Sequence, residues 1–251
     1  MSIAIITGAS AGLGEAFFDS LLERETDLSG IWLIARRAER LEEMAVRSSV
    51  PVKVLSLDLT DKASFRALEE CLAAEKPAVR ILINNAGVGE LANVADSDWT
   101  TQTRMVDLNC GALTALTTAV LPYMQAGGFV VNVASIAAFA PNARMTVYSS
   151  TKAYVLSFSK GLREELRAKR VGVLAVCPGP MDTEFLAVAN ITGRSKTFQR
   201  LPYCNPAQVA KGALAKAAAG RAVYTPRLFF KFYRVLAKVL PHNWVMPLCK
   251  T

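Results

Sequence analysis

The chain has 251 residues, of which 52% are hydrophobic, and it carries a formal net charge of +8. This length and composition predict a globular protein with one large buried core and argue against disorder. The positive charge fits a phosphate-bearing ligand or an anionic membrane better than nucleic acid, because the chain contains no nucleic-acid motif.

The chain begins with a predicted strand, a glycine-rich turn and a helix. An apolar run at residues 3–6 leads into the turn at residues 7–14, and apolar residues at helical spacing follow. Glycine lets the backbone turn tightly and approach a ligand closely. The N-terminus of the helix then offers free N–H groups to a pyrophosphate. This order of elements indicates a dinucleotide-binding unit.

The second predicted strand, at residues 31–35, ends in Arg36 and Arg37. In a dinucleotide-binding fold this strand end faces the adenosine ribose, where an acidic residue binds the 2′-hydroxyl group and arginine accommodates a 2′-phosphate. The nearest acidic residue is Glu39. The two arginines therefore favour NADP(H) over NAD(H), and the alternative is a solvated basic turn before the next helix.

Three further strands, predicted at residues 52–57, 81–83 and 129–133, are each followed by polar or small residues. Asp58, just past the first of them, is placed to reach the adenine amino group. The run Asn84-Asn85-Ala86-Gly87 suits a crowded crossing of chain and cofactor.

A long helix is predicted over residues 98–124, with Asn109 in its apolar middle. A buried amide costs stability unless it is hydrogen-bonded. Asn109 is therefore either bonded at a functional site or a core asparagine that kinks the helix.

Tyr148 and Lys152 lie four residues apart in a predicted helix, and Ser135 ends the strand before it. Residues at this spacing share one helix face. An ammonium group beside a phenol lowers the pKa of the tyrosine, so that it can exchange protons near neutral pH. The pair alone is common by chance, and its alternative is two solvated polar side chains. The single histidine, His242, argues against a Ser-His-Asp hydrolase.

The last two strands are predicted at residues 171–176 and 222–224, with a loop of mixed residues at 181–205 and a helix at 206–219. Strands thus alternate with helices all along the chain, and the strand cores are continuously apolar. This pattern predicts a parallel sheet that is covered by helices on both faces.

In order and spacing, the motifs resemble the short-chain dehydrogenase/reductase (SDR) family over roughly residues 3–226. They are Thr7-Gly8-x-x-x-Gly12-x-Gly14, Asn84-Asn85-Ala86-Gly87, Asn109, Ser135, Tyr148-x-x-x-Lys152 and Pro178-Gly179. The resemblance implies an α/β fold of the Rossmann type, with a doubly wound, seven-stranded and mainly parallel sheet in a single domain at residues 1–226. A helical C-terminal extension at residues 227–251 would follow it.

The resemblance also implies roles for individual residues. Tyr148 would act as general acid in reduction and as base in oxidation, and Ser135 would bind the substrate carbonyl. Lys152 would lower the Tyr148 pKa and bind the nicotinamide ribose, and Asn109 would hold a water that links Lys152 to solvent. The expected NADP(H)-binding residues are Gly8, Ser10, Gly12, Leu13, Gly14, Arg36, Arg37, Asp58, Leu59, Asn85, Ala86, Gly87, Tyr148, Lys152, Pro178, Gly179, Met181 and Thr183. No metal is needed.

The loops after the fourth, fifth and sixth strands are expected to line the substrate pocket. Their apolar residues are Val88, Leu91, Ile136, Phe139, Met145, Phe185 and Leu186. This lining favours a hydrophobic ketone or aldehyde, and Arg144 is the one nearby charge that could meet an acidic substrate. The expected activity is NADP(H)-dependent interconversion of a carbonyl and an alcohol. A 3-oxoacyl-thioester reductase or hydroxysteroid dehydrogenase is an alternative, as is a non-catalytic NADP(H)-sensing scaffold.

The extension is predicted to contain a helix over residues 227–240. Arg227, Lys231, Arg234 and Lys238 form a basic stripe on it, and apolar residues fill the rest. Three interpretations stay open: the helix lies in a membrane interface, it packs on the body or on a sister subunit, or it covers the substrate pocket.

Other sequence features predict a cytoplasmic location, with membrane association through residues 227–248 as an open alternative. The N-terminus shows no secretory signal, and no apolar run is long enough to span a bilayer. Five scattered cysteines without Cys-x-x-Cys spacing indicate a reducing compartment. We expect a homodimer or homotetramer.

Overall fold

The computed structural model of the protein describes residues 2–24, 27–191 and 195–249. Within them, seven strands form one sheet in the order β3-β2-β1-β4-β5-β6-β7, and every neighbouring pair is parallel. The strands are β1 Ser2–Thr7, β2 Leu28–Ala35, β3 Val52–Ser56, β4 Ala78–Asn84, β5 Met124–Val133, β6 Gly172–Val176 and β7 Val223–Tyr224. The predicted Rossmann-type sheet is therefore confirmed. The ends of the two predicted domain ranges, at residues 1 and 250–251, lie outside the described residues.

Helices cover both faces of the sheet. They are α1 Gly12–Arg24, α2 Ala38–Val46, α3 Lys62–Glu75, α4 Trp99–Val106, α5 Leu113–Val120, α6 Thr146–Glu165, α7 Glu184–Val188, α8 Lys196–Arg200, α9 Pro206–Ala218, α10 Leu228–Val239 and α11 His242–Val245. The prediction of a loop over residues 181–205 is wrong in part, because α7 and α8 lie within it. Helix α6 begins at Thr146 and therefore contains both Tyr148 and Lys152, as predicted.

The alternation of side chains along β1 divides the core into two layers. Ile6 points into a layer that is built with α1, α2 and α9, and it includes Phe17 and Phe18. Ile5 points into the opposite layer, where α3, α5 and α6 contribute residues such as Leu116. Because both faces of the strands are buried in this way, the strands read as continuous apolar runs.

Helices α4 and α5 are two parts of one continuous helix that runs from Trp99 to Tyr123. The two parts are joined by a π-helical segment at Asp107–Ala112, which contains Asn109. By length and composition this helix could cross a membrane, contrary to the prediction that no segment is long enough. Its apolar residues Leu116 and Val120 are instead buried against the sheet, as in the core helix of a soluble protein.

A buried chain of amides and hydroxyls fixes α6 on the sheet. The Asn84 side chain at the end of β4 donates to Asn132 Oδ1 on β5 at 2.8 Å and to Thr117 Oγ1 on α5 at 2.9 Å. Asn132 Nδ2 in turn donates to Ser159 Oγ on α6 at 3.0 Å. Because these groups are out of contact with water, they must find their hydrogen-bond partners within the protein. Their bonds hold α5 and α6 in place on the sheet.

The C-terminal helix α10 packs on the body of the protein. Phe230 is fully buried in the same core layer as Phe17 and Phe18. Ala237 and Val245 are buried in a smaller cluster with Ala140. The second of the three interpretations of this segment, packing on the body, therefore describes one face of the helix.

Candidate active site

A cleft of about 850 Å³ lies at the carboxyl ends of the strands. The strand order changes direction between β1 and β4, which is where ligands bind in open parallel sheets. The cleft is lined by all predicted cofactor residues except Gly14. Ser135 also lines it, whereas Asn109 lies behind its wall. The fold thus brings together residues that are up to 175 positions apart in the chain, from Gly8 to Thr183.

Thr7 joins the glycine-rich turn to the loop after β4. Its hydroxyl accepts hydrogen bonds from the backbone N–H groups of Asn85 at 3.0 Å and Ala86 at 3.1 Å. The Asn85 side-chain amide donates to the carbonyl oxygens of Thr7 and Gly8, both at 3.1 Å. These bonds use the backbone and side-chain N–H groups of Asn85 for structure, so the ends of β1 and β4 form one rigid wall of the cleft.

The turn leaves no room for side chains at its glycines. Gly8 has a φ of +61°, and a Cβ atom there would lie 2.8 Å from the Ala86 Cα atom. A Cβ atom on Gly14 would overlap the Gly8 carbonyl oxygen, and one on Gly12 would lie 3.2 Å from Thr183. The backbone of Gly12 and Leu13 at the start of α1 therefore lies at the cleft wall, which fits the phosphates of a dinucleotide.

Two arginines border the adenosine end of the cleft. Arg37 donates to Ser10 Oγ at 3.2 Å and forms an ion pair with Glu184 at 2.9 Å, so it connects the glycine-rich turn to α7. Arg36 is more loosely held, with its nearest carboxylate oxygen, on Asp58, 4.0 Å away. A guanidinium group with this freedom can pair with a phosphate.

Asp58 is itself held in its charged form. Hydrogen bonds from the Thr60 hydroxyl and backbone N–H lower the pKa of Asp58, and the nearby Arg104 and Arg36 add to this effect. An ionised carboxylate can accept a hydrogen bond from an amino group at the cleft wall, as expected for adenine.

Ser135, Tyr148 and Lys152 meet at the middle of the cleft. Ser135 lies near enough to the Tyr148 hydroxyl to lower the pKa of Tyr148, and both side chains are buried. The Lys152 ammonium donates to the Val133 carbonyl oxygen at 2.9 Å and lies 5.7 Å from the centre of the Tyr148 ring. The predicted sharing of one helix face is confirmed, since α6 places both side chains toward the same wall.

The expectation that Lys152 lowers the Tyr148 pKa is wrong for this structure. Burial raises the pKa of Tyr148 to about 12, and the nearby Ser135 side chain opposes this only in part. Burial likewise lowers the pKa of Lys152 to about 8. Desolvation thus outweighs the attraction that the four-residue spacing suggested, because both groups are removed from water. Tyr148 is held protonated at neutral pH, which is the form that can donate a proton.

Asn109 connects the loop after β4 to the helix that carries Tyr148. Its side chain accepts from the Val88 N–H at 2.9 Å and donates to the Val88 carbonyl at 2.8 Å and to Thr151 Oγ1 at 3.0 Å. Its side-chain oxygen and the Lys152 ammonium both lie against Gly87. The buried amide is therefore fully bonded next to the site, and its part in a water relay stays a prediction.

The remaining part of the cleft is apolar. Five of the seven predicted substrate-pocket residues line it: Val88, Ile136, Met145, Phe185 and Leu186. Leu91 is instead buried behind the wall, and Phe139 packs against Tyr233 with ring centres 6.0 Å apart. Arg144 does not line the cleft, so its expected role toward an acidic substrate has no support here.

Sequence reasoning missed one contribution to the cleft and left a second one open. Gly89 lies against the rings of Tyr148 and Phe185. A Cβ atom on Gly89 would be 3.0 Å from Tyr148 Cδ2 and 2.8 Å from Phe185 Cζ. The C-terminal helix α10 supplies further lining through Phe229, Phe230, Phe232, Tyr233 and Leu236. This lining is in keeping with the third interpretation of the extension, a cover over the substrate pocket, which stays a prediction. The apolar periodicity of α10 was the signal available in the sequence.

Comparisons with known proteins show which family this chain belongs to. The sequence model of the short chain dehydrogenase family matches residues 2–192. The chain is similar to serine 3-dehydrogenase of Agrobacterium fabrum, with 38% identity over 73% of this chain and 74% of that protein.

Among solved structures, a short-chain dehydrogenase from Sphingobium yanoikuyae in complex with NADPH is 31% identical, with a TM-score of 0.80 over 96% of this chain and 97% of that one. A bulky-bulky ketone specific alcohol dehydrogenase from Comamonas testosteroni is 28% identical, with a TM-score of 0.74 over 96% and 95%.

The glycine cradle can be tested with Gly14→Ala. The new methyl group must displace the Gly8 backbone, so we expect a loss of about 1–3 kcal/mol in the free energy of unfolding. NADPH binding, measured by fluorescence titration, should weaken at least about tenfold because the N–H groups lose their alignment. Gly161→Ala is the matched control, since its helical site in α6 has no heavy atom within 4 Å of a new Cβ. Equal NADPH affinity in both variants would contradict the assigned cradle.

The burial of Lys152 predicts a pH dependence of stability. The unfolded chain holds the Lys152 proton up to pH 10.5, whereas the folded protein releases it near 8, so rising pH favours the folded state across this interval. Lys152→Met removes the effect. The free energy of unfolding of the wild type should therefore rise by about 3 kcal/mol relative to the variant across this interval. Urea titrations at several pH values measure the difference, and parallel curves for the two proteins would rule out a depressed pKa.

Proposed function

Because this chain belongs to the short-chain dehydrogenase family, we propose that it is an NADP(H)-dependent oxidoreductase that interconverts a carbonyl and an alcohol. The observation that carries the proposal is that Ser135, Tyr148 and Lys152 line the same wall of the cleft, with the Lys152 ammonium 5.7 Å from the centre of the Tyr148 ring. The glycine cradle and the two arginines lie in the same cleft. The Sphingobium relative binds NADPH, in agreement with the choice of cofactor that Arg36 and Arg37 favour.

The hydroxyl groups of Ser135 and Tyr148 are the proton-bearing groups of the reaction. When bound, NADPH supplies the hydride for reduction. Tyr148 gives its phenolic proton to the carbonyl oxygen, and Ser135 donates a hydrogen bond to the same oxygen as negative charge develops there. The Lys152 ammonium, held by the Val133 carbonyl and on the same helix face as Tyr148, would bind the nicotinamide ribose of the cofactor. In the oxidative direction Tyr148 accepts the proton from the alcohol.

The expected substrate is an apolar ketone or aldehyde. The cleft wall beyond Tyr148 is formed by aliphatic and aromatic side chains from the loops after β4 to β6 and from α10. Such walls bind apolar groups, while the two hydroxyls orient the carbonyl. The Comamonas relative is specific for bulky-bulky ketones, which are carbonyl compounds of this class. A 3-oxoacyl thioester and a hydroxysteroid fit the same wall and belong in the substrate panel.

A non-catalytic NADP(H)-sensing role is the competing function. A sensor needs the cradle and the arginines, but it does not need Ser135, Tyr148 and Lys152 buried together beside an apolar wall. Burying a lysine and a tyrosine without mutual compensation costs stability, which a protein that only binds nucleotide has no reason to retain. We also propose that the enzyme works in the cytoplasm as a homodimer or homotetramer.

Tyr148→Phe tests the proton donor. The variant keeps the ring and its packing on Phe185 but loses the hydroxyl, so turnover of carbonyl substrates with NADPH should fall at least about a hundredfold. NADPH affinity should change little, which separates loss of chemistry from loss of binding. Tyr154→Phe, on the same helix and half-exposed, is the control. Equal turnover in the wild type and Tyr148→Phe over a panel of ketones and aldehydes would refute the assigned acid.

Arg36→Ala tests the cofactor. Loss of a charge-assisted contact to the 2′-phosphate should weaken NADPH binding about tenfold and leave NADH binding unchanged. Arg40→Ala, which removes an exposed arginine one turn away that pairs with Glu43, should change neither affinity. If the wild type binds NADH more tightly than NADPH, the assignment of NADP(H) is wrong.

A further inference from the structure

Helix α10 has an apolar face that the body does not cover. Phe230 and Ala237 face the core, but the opposite side of the helix also carries apolar residues. The side chains of Leu228, Phe232, Val235 and Val239 are 80%, 68%, 61% and 74% exposed. Their spacing of four, three and four residues places them on one line along the helix, which we call the outer stripe.

A line of positive charges runs beside the outer stripe. Arg227, Lys231, Arg234 and Lys238 each immediately precede one of its residues, so the two lines run side by side along the helix. None of the four forms an ion pair with an acidic side chain in the part of the chain that the structure describes. The sequence from residue 227 to the end contains no Asp or Glu. The charges are therefore available to an anionic partner from outside the chain.

The apolar lining of the cleft continues onto this surface. Phe229 and Phe232 both line the cleft and are more than half exposed. Val188, at the end of α7, has the same two properties. An apolar path thus leads from the outer stripe to the wall beside Tyr148.

We propose that the outer stripe and its basic neighbours dock the protein on an anionic lipid bilayer, and that the cleft takes its apolar carbonyl substrate from that bilayer. Exposed apolar residues flanked by lysine and arginine are the pattern of a helix that lies in the membrane interface. Anionic headgroups supply the counter-charge that the basic residues lack. The exposed indole of Trp244, just beyond α10, suits the same interface.

A second copy of the chain is a poorer occupant of this surface. Pairing two α10 helices through their outer stripes would bury the apolar residues but would leave eight positive charges along the interface without an acidic partner from either helix. Each chain already carries a net charge of +8, which adds to the repulsion. The bilayer covers the apolar residues and neutralises the charges together.

Docking is tested with the full-length protein and vesicles of phosphatidylcholine, alone or with an equal part of phosphatidylserine. The wild type should bind the anionic vesicles and not the neutral ones, and added salt should release it. Leu228→Gln/Val235→Gln/Val239→Gln, which changes outer-stripe residues that do not line the cleft, should bind at least about tenfold more weakly. Lys231→Gln/Lys238→Gln should lose about fivefold in affinity for each charge removed.

Matched controls change the same residue types at other exposed sites. Val46→Gln/Val94→Gln/Val106→Gln and Lys62→Gln/Lys169→Gln should bind anionic vesicles like the wild type. Circular dichroism checks that α10 still folds. If wild-type protein does not bind anionic vesicles, or if the outer-stripe variant binds them equally well, docking is refuted. A change of oligomeric state in that variant with vesicle binding unaltered would assign the surface to a second copy instead.

Delivery of the substrate from the bilayer to the cleft rests on the proposed function, and it is tested by a separate measurement of enzyme activity. NADPH oxidation is followed with a short, water-soluble aldehyde and with a long-chain aldehyde dissolved in the vesicles. The wild type and the outer-stripe variant should turn over the soluble aldehyde equally, while only the wild type should be faster on the aldehyde in anionic vesicles. Equal rates of both proteins on the vesicle-borne aldehyde would overturn delivery. If the wild type turns over neither aldehyde, both the proposed reductase activity and the delivery of substrate from the bilayer are refuted. Docking on the bilayer is then decided by the vesicle-binding result alone.

Discussion

The joint between Thr7 and Asn85 is the contact on which the rest of the cleft depends. It connects the carboxyl ends of β1 and β4, between which the strand order of the sheet reverses. The chain segments that follow these two strands run apart, and the cleft opens between them. The glycine-rich turn lies so close to Ala86 that no side chain fits between them at Gly8. One wall therefore holds both the N-terminus of α1 and the loop that leads to Val88. If this joint opened, the glycine-rich turn and the loop after β4 would move apart.

The second wall is α6, and it carries groups that are unfavourable to bury. Tyr148 and Lys152 are both withdrawn from water, and the shifts of their pKa values show that burial disfavours the charged form of each. The cost is offset by the apolar packing of the rest of α6 and by the amide chain that fixes it through Ser159. The result is a protonated phenol beside a serine hydroxyl, held in place before any substrate arrives.

The C-terminal helix completes the cleft that the two walls leave open. Phe230 lies so close to Gly179 that a side chain at that position would overlap its ring, and this anchors α10 on the loop after β6. The family model ends at residue 192, so this helix lies beyond the part that it describes. The same helix forms part of the apolar wall and presents the outer stripe to the surroundings. Substrate choice and location are thus both expected to depend on this one segment.

The sequence by itself determined the order of elements, the parallel sheet and most of the residues that meet in the cleft. Buried parallel strands must be apolar throughout, and a tight turn beside a phosphate must be glycine, so these constraints are visible locally. Only the tertiary structure decided the pKa of Tyr148, the exclusion of Leu91 and Phe139 from the cleft and the division of α10 into a lining face and an outer stripe. Each of these depends on which distant surface covers a side chain, and the spacing of residues along the chain does not contain that information.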